Sequence, residues 1–134
     1  MPDPVNLHVD GPHSPERTKE IADLFAECVR FLNYASMSGS GGLSDPADVY
    51  HVLGALYTGT QRASQLFGQL ATILDRQAAD GVLADNAGAD PAHQVADATL
   101  HLGDAQQNVD ALTNALQNAQ QAISGLYVKG ESGA

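Results

Sequence analysis

The chain has 134 residues, a formal net charge of −10 and a hydrophobic fraction of 43%. This length suits one domain with a single modest core, and the apolar fraction argues against a disordered chain. Only 6 lysines and arginines stand against 16 aspartates and glutamates. That balance argues against nucleic acid and an anionic membrane surface as partners, because such binding depends on cations placed against phosphates. A basic or neutral protein is the expected kind of partner.

The sequence predicts neither a membrane span nor a disulfide. No run of 18 apolar residues occurs, and the opening MPDPVNLHVDGPH lacks the basic and then apolar order of a signal peptide. The expected compartment is the cytoplasm, with export by a route that needs no cleaved signal left open. Cys28 is the single cysteine, and its place in an apolar helical row predicts a buried, inert thiol.

The first predicted helix covers about residues 15–36. Residues 1–13 contain three prolines and are predicted to form an irregular arm. Ser14 then suits an N-cap and Pro15 the first helical position. The glycines and serines of residues 38–42 end the helix and let it turn back. Its apolar residues recur at spacings of three and four: Ile21, Leu24, Phe25, Cys28, Val29 and Leu32.

The second predicted helix covers about residues 46–80 and repeats the start signal at Asp45-Pro46. Its apolar spacing is that of a heptad seam, with a second row beside it, and the resulting face is wider than one neighbouring helix needs. The helix should therefore touch at least two others. The seam consists of Val49, Leu53, Leu56, Thr60, Ala63, Phe67, Leu70 and Leu74, and the second row of Val52, Gly59, Leu66 and Ile73.

The third predicted helix covers about residues 91–127 and starts with the same signal, Asp90-Pro91. A joint at residues 81–90 precedes it, and residues 129–134 are predicted to be a disordered tail. The seam is narrow and edged by polar residues, among them Thr99, Gln106, Thr113 and Gln120. It consists of Val95, Ala98, Leu102, Ala105, Val109, Leu112, Leu116, Ala119, Ile123 and Leu126.

Together these elements predict an all-α fold. We expect an antiparallel helical bundle in which the short first helix packs on a long two-helix hairpin, within one domain of residues 14–128. The short connection at residues 81–90 makes the two long helices antiparallel neighbours. Small residues near mid-height, Gly59, Ala63 and Ala105, are expected to meet and to allow close approach.

Polar residues on the third helix offer two hypotheses. His93, Asp97, His101 and Asp104 lie along one side, and a histidine and a carboxylate one turn apart can chelate a transition metal. A solvated polar face is the simpler interpretation, since no third or fourth ligand is evident, so no metal site is predicted. Asp90, Asp97 and Asp104 also form an acidic row, which is either a solubilising surface or a docking strip for a basic partner.

No motif indicates catalysis. The chain has no G-x-S-x-G, no phosphate-binding loop, no dinucleotide fingerprint and no carboxylate pair in an apolar setting. The sequence therefore predicts a protein that is not an enzyme and has no cofactor and no small-molecule substrate.

The predicted function is a non-enzymatic protein–protein interaction or assembly module built on a coiled-coil-like hairpin. Its expected partner is a second copy in a homodimer, or another helical protein. A metal-binding helical protein is a further alternative. The predicted contact residues are Tyr50, Val52, Tyr57, Leu66 and Ile73 on the second helix, with Asp97 and Asp104 on the third.

Residues 45–131 resemble the helical hairpins of the WXG100 secreted proteins. Those proteins carry a Trp-x-Gly turn between two helices, whereas this chain has no tryptophan and a longer joint. Tyr127 and Glu131 are similar to the Tyr-x-x-x-Asp/Glu export signal of that family. The resemblance implies a second possible function, a secreted helical-hairpin substrate or effector.

Overall fold

The computed structural model describes residues 7–130, which form three α-helices and no strand. These helices are α1 (Pro15–Ala35), α2 (Pro46–Ala79) and α3 (Pro91–Ala122). The all-α prediction is confirmed. Helix α3 ends at Ala122 rather than near residue 127, because a turn through Ser124 and Gly125 follows. The predictions for residues 1–6 and 131–134, including the tail and Glu131, lie outside the described residues.

A polar residue followed by proline begins each helix. The Ser14 side chain accepts a hydrogen bond from the Arg17 backbone N–H at 3.0 Å, and Asp90 accepts one from the Ala92 N–H at 3.0 Å. At α2 the cap is reciprocal. Asp45 accepts from the Asp48 N–H at 3.1 Å, and the Asp48 carboxylate accepts from the Asp45 N–H at 3.3 Å. These bonds satisfy backbone donors that have no partner within the helix.

We expect Asp45→Ala to lower the free energy of unfolding by about 1 kcal/mol, because it removes the N-cap acceptor. Chemical denaturation followed by circular dichroism measures this change. Asp75→Ala is the matched control: it removes the same charge near the C-terminal end of α2, where a carboxylate is unfavourable. Equal losses for the two variants would contradict this account of the cap.

The chain divides into two compact units, Met1–Ser44 and Asp45–Ala134. Among residues 7–44, α1 is the only helix, and none of its residues is buried. Cys28 is exposed, so the prediction of a buried thiol is wrong. The reason is that a single helix has no second element within its own unit to cover its apolar face. The packing of the first helix on the hairpin, and a single domain over residues 14–128, stay predictions.

In the second unit α2 and α3 pack closely as an antiparallel hairpin, as predicted. Hydrogen bonds between the helices connect Gln106 with Ser64, Thr113 with Thr60, and Gln120 with Tyr50. As the residue number in α3 rises, the number of its partner in α2 falls, which shows that the two helices are antiparallel. At about 1.5 Å per residue, each helix is about 50 Å long.

The packed face of each helix is rotated from the predicted seam. Leu56 and Leu70 of α2 are exposed, and Leu112 of α3 is 48% exposed. The residue that follows each of these is at least half-buried: Tyr57, Ala71 and Thr113. The half-buried face of α2 follows one heptad row, which we call the inner row: Leu53, Tyr57, Thr60, Ser64, Phe67, Ala71, Leu74 and Ala78.

The buried core of the hairpin is small. Among the described residues, the buried side chains are Val95, Val109 and Thr113. Two helices can cover only one face of each other, so α2 and α3 leave their other faces uncovered by the hairpin itself. The hairpin thus leaves apolar surface uncovered on a helix whose sequence predicts more than one neighbour.

Candidate functional site

Two glutamine side chains of α3 lie directly over glycines of α2. The Gln106 amide nitrogen donates to the Ser64 carbonyl at 2.9 Å, and the Gln120 amide nitrogen donates to the Tyr50 carbonyl at 3.2 Å. A Cβ atom at Gly68 would lie 2.8 Å from the Gln106 nitrogen. At Gly54 it would lie 2.6 Å from the Gln120 nitrogen. A side chain at either glycine would force the glutamine amide to move from the position in which it makes its hydrogen bond.

A pair of threonines lies between the two glutamines. The Thr113 hydroxyl is 2.8 Å from the Thr60 hydroxyl and 2.7 Å from the Val109 carbonyl. The Thr60 hydroxyl also lies 2.9 Å from the Leu56 carbonyl. Each buried oxygen thus has a partner, which removes the cost of placing polar groups inside the interface. Hydrogen bonds, as well as leucines, hold the hairpin in register.

The apolar spacing did not predict these polar contacts of Gln106, Thr113 and Gln120 with α2. A repeat in the sequence does indicate them. Gly54 and Thr58 recur fourteen residues later as Gly68 and Thr72, and each threonine hydroxyl donates to the carbonyl of its glycine. In α3 the triplet Ala-Gln-Gln at residues 105–107 recurs at 119–121. Fourteen residues are two heptads, so each repeat returns to the same helix face. Gly59, in contrast, faces open space, so its predicted close contact with α3 is wrong.

A second heptad row on α2, which we call the outer row, is apolar and mostly exposed. Its steps alternate between three and four residues over 25 positions, and Leu66 and Ile73 are 50% and 47% exposed. Two members of the row, Val52 and Ala63, are half-buried. The outer row consists of Val49, Val52, Leu56, Gly59, Ala63, Leu66, Leu70 and Ile73.

The inner and outer rows lie on different sides of α2. Successive residues of an α-helix are about 100° apart, which places the midlines of the two rows about 100° apart. A helix at the corner of a square four-helix arrangement contacts its two neighbours at nearly this angle. In the hairpin, α3 covers only the inner row.

The predicted contact residues fall on three surfaces. Val52, Leu66 and Ile73 belong to the outer row. Tyr57 belongs to the inner row and is half-buried, while exposed Tyr50 provides the carbonyl that Gln120 binds. The remaining two, Asp97 and Asp104, are exposed on α3. Their roles in binding stay predictions.

The polar side of α3 brings together no set of three metal ligands among residues 7–130. His93, Asp97, His101 and Asp104 are all exposed. Imidazole-to-carboxylate distances are 3.9 Å from His93 to Asp90 and 4.0 Å from His101 to Asp104. No group of three or more histidine, cysteine, aspartate or glutamate side chains in the described range could hold a metal ion.

A cavity of about 350 Å³ lies in the first unit, beside the start of α1. His8, His13 and Arg17 line it. The His13 ring nitrogen is 3.0 Å from the Val9 carbonyl, and Arg17 pairs with Glu20 at 3.2 Å. These local bonds orient the His13 and Arg17 side chains toward their own neighbours in the chain.

Asp85 organises the connection between α2 and α3. Its carboxylate accepts hydrogen bonds from the Gln94 amide at 2.8 Å, from the Ala89 N–H at 3.1 Å and from the Ala87 N–H at 2.8 Å. These donors, Gln94 above all, hold the pKa of Asp85 below its ordinary value of 3.8. The stabilisation is therefore complete above pH 3.8 and is lost as the pH falls through the lower folded-state pKa.

We expect Asp85→Asn to lower the free energy of unfolding at pH 7 and to have a smaller effect at pH 3, because below the ordinary pKa of 3.8 the unfolded carboxyl is protonated and part of the stabilisation is lost. Urea denaturation of both proteins at pH 7 and pH 3 measures the difference. Asp110→Asn removes the same charge from an exposed position on α3 and serves as the control. A loss at pH 7 that persists unchanged at pH 3 would show that the charge of Asp85 has no role.

No helix within residues 7–130 is both long enough and apolar enough to cross a membrane. No protein family, no curated protein and no solved structure matches the chain. Tyr127 is exposed, while Glu131 lies outside the described residues, so the export hypothesis stays a prediction.

Proposed function

We propose that this protein is a non-enzymatic interaction and assembly module that binds another helix along the outer row of α2. The observation that carries the proposal is the second heptad row itself. A row of eight apolar or small residues with unbroken spacing is the pattern of a helix–helix interface, and α3 leaves this row uncovered. Single exposed apolar residues are common on protein surfaces, but a continuous apolar stripe marks an interaction site.

The energetics favour a helical partner. Burial of apolar surface contributes about 25 cal/mol per Å², and the large side chains of the outer row still expose a third to a half of their area. A row about 36 Å long that winds slowly around a helix is best covered by a second helix of similar length. The proposed interface is coiled-coil-like, since its spacing averages 3.5 residues.

The face of α3 that carries the acidic row has a different character. Asp97, Asp104 and Asp110 give α3 three negative charges, and α3 contains no lysine or arginine. A carboxylate at every second turn favours solvent over an apolar interface. These residues therefore support solubility of the assembled form, and the contact surface is assigned to α2.

Site-specific photocrosslinking in the producing cells tests the proposal. A photoreactive amino acid at position 66 is expected to crosslink the protein to the partner that carries the second helix, because Leu66 lies within the outer row. The matched control is position 100, where Leu100 is 64% exposed on α3 outside both rows. Equal adduct yields at the two positions, or none at position 66, would reject the outer row as a binding surface.

A further inference from the structure

The outer row is nearly symmetrical in side-chain size about its midpoint, residue 61. Gly59 and Ala63 flank the midpoint, and Leu56 and Leu66 follow at equal distances on either side. Beyond them, Val52 is matched by Leu70, and Val49 by Ile73. Read from either end, the row passes from a β-branched residue through bulky aliphatic residues to a small one.

This symmetry is what an antiparallel pair of identical helices requires. A two-fold axis near residue 61 places Val49 opposite Ile73 of a second copy, Leu56 opposite Leu66, and Gly59 opposite Ala63. In heptad terms each layer joins an a position of one helix to a d position of the other, the pairing of antiparallel coiled coils. The small residues meet at the centre, where they let the two backbones approach closely.

The charges of α2 are compatible with self-pairing. Asp48 and Asp75 balance Arg62 and Arg76, so the helix has no net charge although the whole chain carries −10. In the antiparallel register, Asp48 and Arg76 of the second copy fall on the same flank within one helical turn. The two Arg62 side chains lie within one turn of each other on the same flank, a like-charge contact that solvent exposure and salt weaken. Each dimer has two Asp48–Arg76 pairs against this one Arg62–Arg62 contact.

We infer that the occupant of the outer row is a second copy of this chain, paired antiparallel through α2 about a two-fold axis near residue 61. The inference rests on the proposed function and specifies its partner. Each copy contributes α2 and α3, so pairing produces a four-helix arrangement. In it the inner row of α2 packs on α3, and the outer row packs on α2 of the second copy. The angle of about 100° between the rows fits the two contacts that a corner helix makes.

Disulfide trapping tests the pairing and its direction. Val49→Cys and Ile73→Cys are prepared separately in the full chain with Cys28→Ser, and each is oxidised alone and in an equal mixture. Covalent dimer is expected only in the mixture, because the antiparallel register places position 49 next to position 73 of the second copy. Identical positions are then about 36 Å apart, too far for a disulfide. Circular dichroism checks that each variant keeps its helices.

Sedimentation equilibrium provides a second measurement that needs no cysteine. The unmodified chain is expected to have twice the monomer mass at high concentration. Leu66→Glu should raise the dimer dissociation constant at least tenfold, because it would bury a carboxylate against Leu56 of the second copy. Leu100→Glu, the matched control, should leave the constant unchanged.

The trapping, sedimentation and crosslinking results can each overturn the proposed pairing. Disulfide formation by Val49→Cys alone indicates parallel pairing and overturns it. A monomer at every concentration overturns it as well. If position 66 crosslinks to a different protein in cells while the purified chain stays monomeric, the proposed function holds and the self-pairing fails. If position 66 gives no adduct and the chain is monomeric, both fail.

Discussion

Leu116→Ala should lower the free energy of unfolding by about 2–3 kcal/mol, whereas Leu112→Ala, four residues earlier on the same helix, should cost less than about 1 kcal/mol. Leu116 is half-buried on the face of α3 that packs on α2, and Leu112 is 48% exposed. Both changes remove the same atoms and gain the same small helix propensity. Their difference therefore measures contact with α2 alone.

Urea denaturation of both variants at one low protein concentration makes this measurement. The concentration is chosen low enough that the chain is monomeric, so self-association does not affect the comparison. Equal losses for the two variants would restore the seam that apolar spacing predicts, in which Leu112 and Leu116 both face α2. A larger loss at Leu112 would place the packed face of α3 on its other side.

The second large effect is expected at Gly68. Gly68→Leu should lower the free energy of unfolding by about 2 kcal/mol, because the new side chain displaces the Gln106 amide and breaks its bond to the Ser64 carbonyl. This net loss already includes a gain of roughly 0.8 kcal/mol from the higher helix propensity of leucine. Thermal and urea denaturation of the variant measure the net change.

Gly103→Leu is the matched control for that experiment. A Cβ atom at Gly103 meets no other atom within 4 Å, so leucine there should be neutral or stabilise the helix by roughly 0.8 kcal/mol. If both variants behave alike, the close packing of Gln106 on Gly68 is not a determinant of stability. Gln106→Ala adds a further check, because it should reduce the additional cost of Gly68→Leu when the two changes are combined.

The helix positions could be predicted from local chemistry. Ser14-Pro15, Asp45-Pro46 and Asp90-Pro91 start the three helices, since a side-chain acceptor satisfies free backbone donors and proline sets the first φ angle. These effects act over three or four residues, so they need no knowledge of the partner helix. The end of α3 was less predictable, because the apolar spacing continues to Leu126 beyond the last helical residue.

Apolar spacing alone does not determine which face of α2 packs on α3. On α2 the apolar residues follow two overlapping heptad rows, and either row could face α3. Hydrophobicity favoured Leu56 and Leu70 for the interface, yet both are exposed. Of the predicted contact residues, Val52, Leu66 and Ile73 share the outer row, whereas Tyr57 lies in the inner row.

An all-helical chain with three helices and an antiparallel hairpin followed from capping residues and apolar periodicity, because both are properties of neighbouring residues along the chain. Which face of each long helix is buried followed only from packing. Gln106 over Gly68, Gln120 over Gly54 and Thr113 beside Thr60 each need a partner more than forty residues away. Those contacts rotate the helices so that small and polar residues meet, and the bulky aliphatic residues of the outer row remain exposed.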